Sequence, residues 1–373
     1  MRSHSNSAPH LTALDDFNGL CCLLVVLIHV LSLGVTQADH SSVQGAAIYV
    51  TWLLALSAVP AFLFVGGMKM GLSLTAPTVP PYGPYVLRRV KKVYLPYVCW
   101  TVVYYLCFLP IGYVTGSVGE FAQYLWFASL SAQFYYVVVV MQFYLLRPLW
   151  GWMLKHIPWQ AGLVLSLVVM RTAAILQPQL AQRWSWFGPY QGRIFLTYLL
   201  YWTAGLYAGA LYHKLLRLLE RKWLRAAAVV PVVIYAALGC VQYVTGRTAP
   251  GLELWKIASN LCFIGLLLCL CRFLAEKEGW LRRALAFLHR ASLFVFFSHC
   301  LVLTIVTECL QKAGITRLSL LLVLRGAAAW LLPLAAFRLW ELVVSEKEGL
   351  KIGRNWPVIL DAFPAKWYHK HCL

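Results

Sequence analysis

Asp15-Asp16-Phe17-Asn18-Gly19-Leu20-Cys21-Cys22-Leu23-Leu24-Val25-Val26-Leu27-Ile28-His29 opens on two acidic residues suited to a helix N-terminus, then runs apolar for about three turns and ends on an imidazole. As an α-helix it puts Asn18 and His29 on nearly one face, roughly 16 Å apart along the axis. One end of that face meets water and the other lies deep in whatever encloses the helix. A cleaved signal peptide would need a positive leading segment, whereas one Arg and two Asp stand before this apolar core. The stretch therefore reads as a retained helix.

Composition says what encloses it. Of the 373 residues 61% are hydrophobic and only 12% charged, with 16 Trp, and the mean hydropathy is +0.69. A soluble domain carries about twice that charged fraction, so the chain reads as all-α and polytopic in a membrane. The 11 Cys are scattered, several within apolar runs, and show no Cys-x-x-Cys spacing. They read as small buried thiols, and no metal site is expected.

Apolar runs of about 17 to 27 residues predict about ten spans, over 20–36, 48–72, 93–114, 122–146, 159–178, 194–212, 226–244, 257–274, 291–308 and 318–340. One set of alternate connections holds only Arg183, Arg193, Arg247, Lys256, Lys312 and Arg317. The other set, with both termini, holds several times as many cations, among them Arg88, Arg89, Lys91, Lys92, Lys214, Arg217, Arg221, Lys222, Arg225, Arg282, Arg283 and Arg290. The positive-inside rule then puts both termini in the cytoplasm. The net charge of +19 is thereby explained by topology and anionic lipid, and nucleic acid is not an expected partner. Residues 1–373 read as a single membrane domain, with a polar lead over 1–14 and a cytoplasmic tail over 345–373.

Within this frame a few positions carry chemistry. Pro77-Thr78-Val79-Pro80-Pro81-Tyr82-Gly83-Pro84 is a stiff connection that delivers Arg88-Arg89-Val90-Lys91-Lys92 to the inner face, ahead of Pro96-Tyr97. Four cations there suit an anionic cytosolic ligand as well as they suit lipid head groups. Tyr135 and Gln142, seven residues apart, share a face and offer hydroxyl and amide groups to an interior cavity or to a neighbouring helix. Arg171 falls inside the fifth run and Arg325 inside the tenth, where a guanidinium needs a partner or water; Glu308 is a candidate partner for Arg325. The aromatic stretch Trp184-Ser185-Trp186-Phe187-Gly188-Pro189-Tyr190 fits an interfacial belt. His299, at the end of Ser292-Leu293-Phe294-Val295-Phe296-Phe297-Ser298-His299, should reach a depth similar to His29, and two imidazoles at matched depth suggest a shared site. No Gly-rich phosphate loop, His-Glu-x-x-His or Gly-x-Ser-x-Gly is present, which excludes readings as a soluble kinase, zinc protease or serine hydrolase.

Four of these segments together resemble acyltransferase family 3, the integral membrane O-acyltransferases that include fucose and other glycan O-acetylases. They are Leu14-Asp15-Asp16-Phe17-Asn18-Gly19 with Val25-Val26-Leu27-Ile28-His29, then Arg88-Arg89-Val90-Lys91-Lys92 with Pro96-Tyr97, then Gln142-Phe143-Tyr144-Leu145-Leu146-Arg147-Pro148, and Ser292 through His299. Two positions depart from the family pattern. Asn18 stands where the family usually has Arg, and Gln133 where relatives often have His.

The resemblance implies a membrane acyltransferase that moves an acyl group, commonly acetyl, from cytosolic acetyl-CoA or another acyl-CoA to a hydroxyl of an envelope or exported carbohydrate, in a bacterial cytoplasmic membrane. His29 would be the base that takes the acceptor proton, or would itself carry the acyl group. His299, Tyr135 or Gln142 would orient it or stabilise the oxyanion. Arg88, Arg89 and Lys92 would hold the phosphates of the donor, with Asn18 and Arg171 as further binding candidates. Asp15 reads as an N-cap or, lying near the face of Asn18, as a residue that helps close the inner mouth. Two other readings stay open: a transporter or flippase using the same intramembrane His and Arg residues, and a catalytically impaired member in which Asn18 cannot replace the Arg charge. Acyl-CoA, a carbohydrate acceptor and the bilayer are the expected partners, and the oligomeric state, a homo-oligomer included, is left open.

Overall fold

The computed structural model describes residues 9–347, so residues 1–8 of the expected lead and 348–373 of the expected tail lie outside the described residues. Among the described residues there is helix, turn and loop but no strand. The helices are α1 (Pro9–Gln37), α2 (Val43–Ala55), α3 (Ala58–Leu74), α4 (Tyr82–Arg89), α5 (Leu95–Phe108), α6 (Val118–Phe127), α7 (Tyr135–Leu145), α8 (Arg147–His156), α9 (Trp159–Arg183), α10 (Leu199–Ala210), α11 (Tyr212–Glu220), α12 (Lys222–Thr245), α13 (Leu252–Ala275), α14 (Trp280–Lys312) and α15 (Leu318–Lys347). They fall into two compact units. One holds the residues up to Phe62 and those from Leu216 onward, and the other is Leu63–Leu215.

Among the described residues seven stretches are long and apolar enough to cross a membrane: Thr12–Gln37, Val43–Leu74, Trp159–Arg183, Lys222–Thr245, Leu252–Ala275, Trp280–Lys312 and Leu318–Val343. An eighth would be α7 with α8, bent by 55° between them. Three of the ten expected runs are not single long α-helices among the described residues. The run over 93–114 yields only the 14 residues of α5. The run over 122–146 is broken by a left-handed Ala128 (φ 50°) that ends α6. The run over 194–212 gives a short 3-10 turn, Phe195–Tyr198, and the 12 residues of α10.

In the first unit α1 packs on α2, α13, α14 and α15, and α14 packs on α15. The seam between α1, α14 and α15 is built from Cys22, Val26, Val30, Ala291, Val295, Leu303, Ala329 and Phe337. The four-residue spacing in α1 and α14 puts one side chain per turn into that seam. His299 falls between Val295 and Leu303 on the same stripe and is fully buried. A second apolar cluster, Val25, Ile28, Ala55 and Ala58, joins another side of α1 to α2 and the start of α3.

In the second unit the α3 residues Gly67 and Gly71 meet Gly205 and Gly209 of α10. A Cβ on any of them would overlap a backbone carbonyl of the facing helix, from Trp202, Leu206, Phe64 and Met68 respectively. This pair of small-xxx-small motifs lets the two backbones touch, which is how membrane helices associate without a hydrophobic driving force. Gly205→Ala is expected to destabilise the protein by about 1–3 kcal/mol, the usual range for overpacking. Thermal melts in detergent would check this against Gly83→Ala, where an added Cβ meets nothing within 4 Å. Equal melting temperatures for the two variants would contradict the close approach.

Candidate active site

The first unit brings His29 and His299 together. Their ring centroids are 5.1 Å apart and the planes are tilted by 47°. His29 comes from α1 and is half-buried, while His299 comes from the middle of α14 and has no solvent exposure. The His299 Nδ1 lies 2.8 Å from the Val295 carbonyl, an acceptor one turn earlier in its own helix. That contact assigns the ring proton to Nδ1 and leaves the Nε2 lone pair facing Cys300, whose Sγ is 3.3 Å away.

α15 adds a charge. Gly326 lets α15 sit close to α1, since a Cβ there would come 3.2 Å from Val30 Cγ1. The neighbouring Arg325 is buried, and its Nη2 donates to the His29 carbonyl at 3.3 Å. Its Nε has no hydrogen-bond partner among the described residues. Among the described residues, His29, His299 and Cys300 also have ligand atoms within 4.8 Å of one another, a set able to hold a soft metal ion.

The N-terminal part of α1 is clamped to α14. Both guanidinium nitrogens Nη1 and Nη2 of Arg282 donate to the two carboxylate oxygens of Asp16, which is fully buried. Asp15 Oδ1 lies 3.5 Å from His289 Nε2. The expectation that Asp15 caps a helix is corrected here: α1 begins at Pro9, so Asp15 lies more than a turn inside it and its carboxylate faces a side chain of α14 instead. Asn18 is fully buried, and its Nδ2 donates to Leu14 O of its own helix at 2.9 Å. Its Oδ1 accepts nothing among the described residues, which leaves one acceptor in place of the fixed positive charge that an Arg would bring.

The second unit holds the basic segment. Pro96 has no N–H, and its ring crowds the carbonyl of the preceding turn, so the helix widens over Val90–Tyr94, where Leu95 N reaches back five residues to Val90 O. Arg88 and Lys91 are exposed on this stretch, Lys92 is half-buried and Arg89 is buried. The Arg89 guanidinium lies over the rings of Tyr144 at 4.5 Å and Tyr85 at 5.1 Å. Arg147, at the start of α8, lies over Tyr85 at 4.5 Å and donates from Nη1 to Pro80 O at 2.8 Å. Burial pushes the Tyr85 phenol up to about 12, so at neutral pH it is an uncharged ring under two cations. Arg147 is 4% exposed, and its Nε and Nη2 have no hydrogen-bond partner among the described residues.

Tyr135, Gln142 and Arg171 also belong to the second unit. The half-buried Tyr135 stacks on Tyr198 with centroids 6.4 Å apart. Gln142 donates to Arg193 O at 2.8 Å and accepts from Phe195 N at 3.1 Å, so its amide holds the approach to α10. Arg171 is half-buried midway along α9. Gln133 is buried, donates to Tyr104 OH at 2.9 Å and accepts from Ser131 Oγ at 2.7 Å. The sequence does not single out Cys300, and Arg282 reads there as one topology charge among many. A thiol directly after an intramembrane His was the available signal for Cys300; nothing local marks Arg282, whose role depends on which helix it meets.

No curated protein and no solved structure matches the chain. The family model described as an acyltransferase domain does match, over residues 12–337, a span that contains the His pair, Arg325, the Asp16 clamp and the basic segment. With its several long apolar helices, the chain is a multi-pass membrane protein, and it belongs to acyltransferase family 3.

Proposed function

We propose that this protein is an O-acyltransferase that takes an acetyl or other short acyl group from cytosolic acyl-CoA and places it on a hydroxyl of an envelope or exported carbohydrate. The observation that carries the reading is the His29–His299 pair, two imidazoles at 5.1 Å beside a buried guanidinium. A thioester needs no activation beyond a base for the incoming hydroxyl and a donor for the carbonyl oxygen. His29 is the base: it is half-buried, so an acceptor hydroxyl can reach it, and a neutral imidazole offers a ring nitrogen to take the proton. Arg325 supplies positive charge where the oxyanion forms.

The basic segment of the second unit is assigned to the phosphates of CoA, with the basic connections on the cytosolic side. Arg88 and Lys92 provide exposed and half-exposed charge, and Arg89 and Arg147 provide buried guanidiniums that bind phosphate in a forked geometry. Arg147→Gln should raise KM for acyl-CoA about tenfold or more with kcat nearly unchanged, because a charge-assisted bond contributes roughly 1.5–3 kcal/mol and this residue touches no reacting atom. Initial rates over a donor series in low and high salt would measure it. A fall in kcat at constant KM would move Arg147 out of donor binding.

The overall reading is tested with purified protein in liposomes, supplied with acetyl-CoA and oligosaccharide acceptors. Free CoA thiol and an added acetyl mass on the acceptor are expected together. If no donor thioester is consumed with any acceptor, while labelled solute crosses the vesicle wall, the protein is a transporter using the same residues.

A further inference from the structure

Cys300 is a buried thiol beside the His pair that the proposed chemistry does not use. Its Sγ is 3.3 Å from His299 Nε2, and the other nitrogen of that ring is tied to Val295 O at 2.8 Å. Nucleophile, base and a third group that orients the base are thus in one line, the arrangement that activates thiols and hydroxyls in acyl transfer. A second observation stands independently of the thiol. Arg325 is 6% exposed, and its Nε is without a hydrogen-bond partner among the described residues. A buried guanidinium with an unused N–H is a donor waiting for an acceptor, and the oxyanion of a thioester under attack is one.

We infer that Cys300 is a catalytic nucleophile that carries the acyl group between donor and acceptor. The inference rests on the acyltransferase reading above and divides the work of the two histidines. In the first half, the Cys300 thiol gives its proton to His299 Nε2 and its sulfur attacks the thioester carbonyl carbon. The bond from that carbon to Cys300 forms, the bond to the CoA sulfur breaks, and the departing sulfur takes the proton from His299. One thioester replaces another, so the step needs no oxidant and is close to balanced in energy. In the second half, the acceptor hydroxyl attacks the acyl-Cys300 carbonyl and passes its proton to His29. The carbon–sulfur bond to Cys300 breaks, and the Cys300 sulfur regains a proton from the imidazole pair.

Trapping tests it. Full-length protein in detergent, kept in EDTA so that metal stays off His29, His299 and Cys300, is mixed with radiolabelled acetyl-CoA in the absence of acceptor, quenched in acid and measured by intact mass. The wild type should gain ~42 Da, lose it to hydroxylamine and release one CoA per chain as a burst. Peptide mapping should place the label on Cys300. Cys300→Ser and Cys300→Ala should show no adduct and a turnover reduced on the order of 100-fold or more, and both must bind acetyl-CoA as the wild type does, which excludes simple misfolding. Turnover in Cys300→Ala equal to wild type, or a label mapping to His29, overturns the inference and leaves the acyltransferase reading standing. No thioester consumption by the wild type with any acceptor overturns both.

Discussion

His29→Ala is expected to lower acyl transfer by a factor of about 100 to 10,000, the span over which removal of a general base acts. The fold should survive. His29 is half-buried, and the α1 seam against α14 and α15 is carried by Cys22, Val26 and Val30, so truncation removes no central packing. Its carbonyl, which accepts from Arg325 Nη2 and Ser32 Oγ, is retained in the variant. The loss should therefore appear in kcat with little change in KM for the donor. His29→Ala combined with His299→Ala should be scarcely worse than the worse single variant, since residues that act as one unit are not additive. Comparison of kcat, KM and melting temperature for the three variants decides this. A His29→Ala enzyme with more than a tenth of wild-type turnover would remove His29 from the chemistry.

The second large effect is expected at the clamp between Asp16 and Arg282. Asp16 is fully buried and both of its carboxylate oxygens are bonded by Arg282, whose own side chain is 23% exposed. Arg282→Ala would strand a buried carboxylate, and breaking a buried pair from one side typically costs about 3–5 kcal/mol. Because Arg282 is partly wetted, the lower end is expected. The apparent melting temperature should drop by about 6 °C or more. The double change Asp16→Leu with Arg282→Leu should recover most of it, since no charge is then left unpaired. Arg282→Lys should rescue only in part, because an ammonium cannot bond both oxygens in a fork. If Arg282→Ala and the double variant melt like wild type, the clamp contributes nothing. Catalysis should follow the clamp as well. It fixes how α1 lies against α14, and therefore how His29 faces His299, and misplacing a catalytic group by about 1 Å can cost on the order of 100-fold.

These two predictions differ in how legible they were. His29 and His299 stand out in the sequence because an imidazole in an otherwise apolar run is expensive to keep, and the family resemblance adds to that signal. The clamp shows no such mark. Asp16 reads as a helix-start residue and Arg282 as one of many inner-face cations, and the structure pairs them across more than two hundred residues. Cys300 was hidden by its type, since a thiol passes for a small apolar residue unless its neighbour is seen. Arg147 is hidden by its place in a motif, where only packing reveals that the guanidinium lies over Tyr85 with two nitrogens unbonded among the described residues.

By itself the sequence determined that this is a helical membrane protein with two matched intramembrane histidines and a basic segment after a proline-rich turn. Those features follow from local physics: the length of apolar runs, the cost of polar groups among them and the stiffness of proline. Only the tertiary structure decided how many runs remain whole. The left-handed Ala128 that ends α6 is not marked by any residue type that favours that backbone. The tertiary structure alone also decided which polar groups meet. Asp16 with Arg282, Arg325 with the His29 carbonyl, and Cys300 with the free nitrogen of His299 are set by helix crossings and by the one ring nitrogen that Val295 leaves unoccupied.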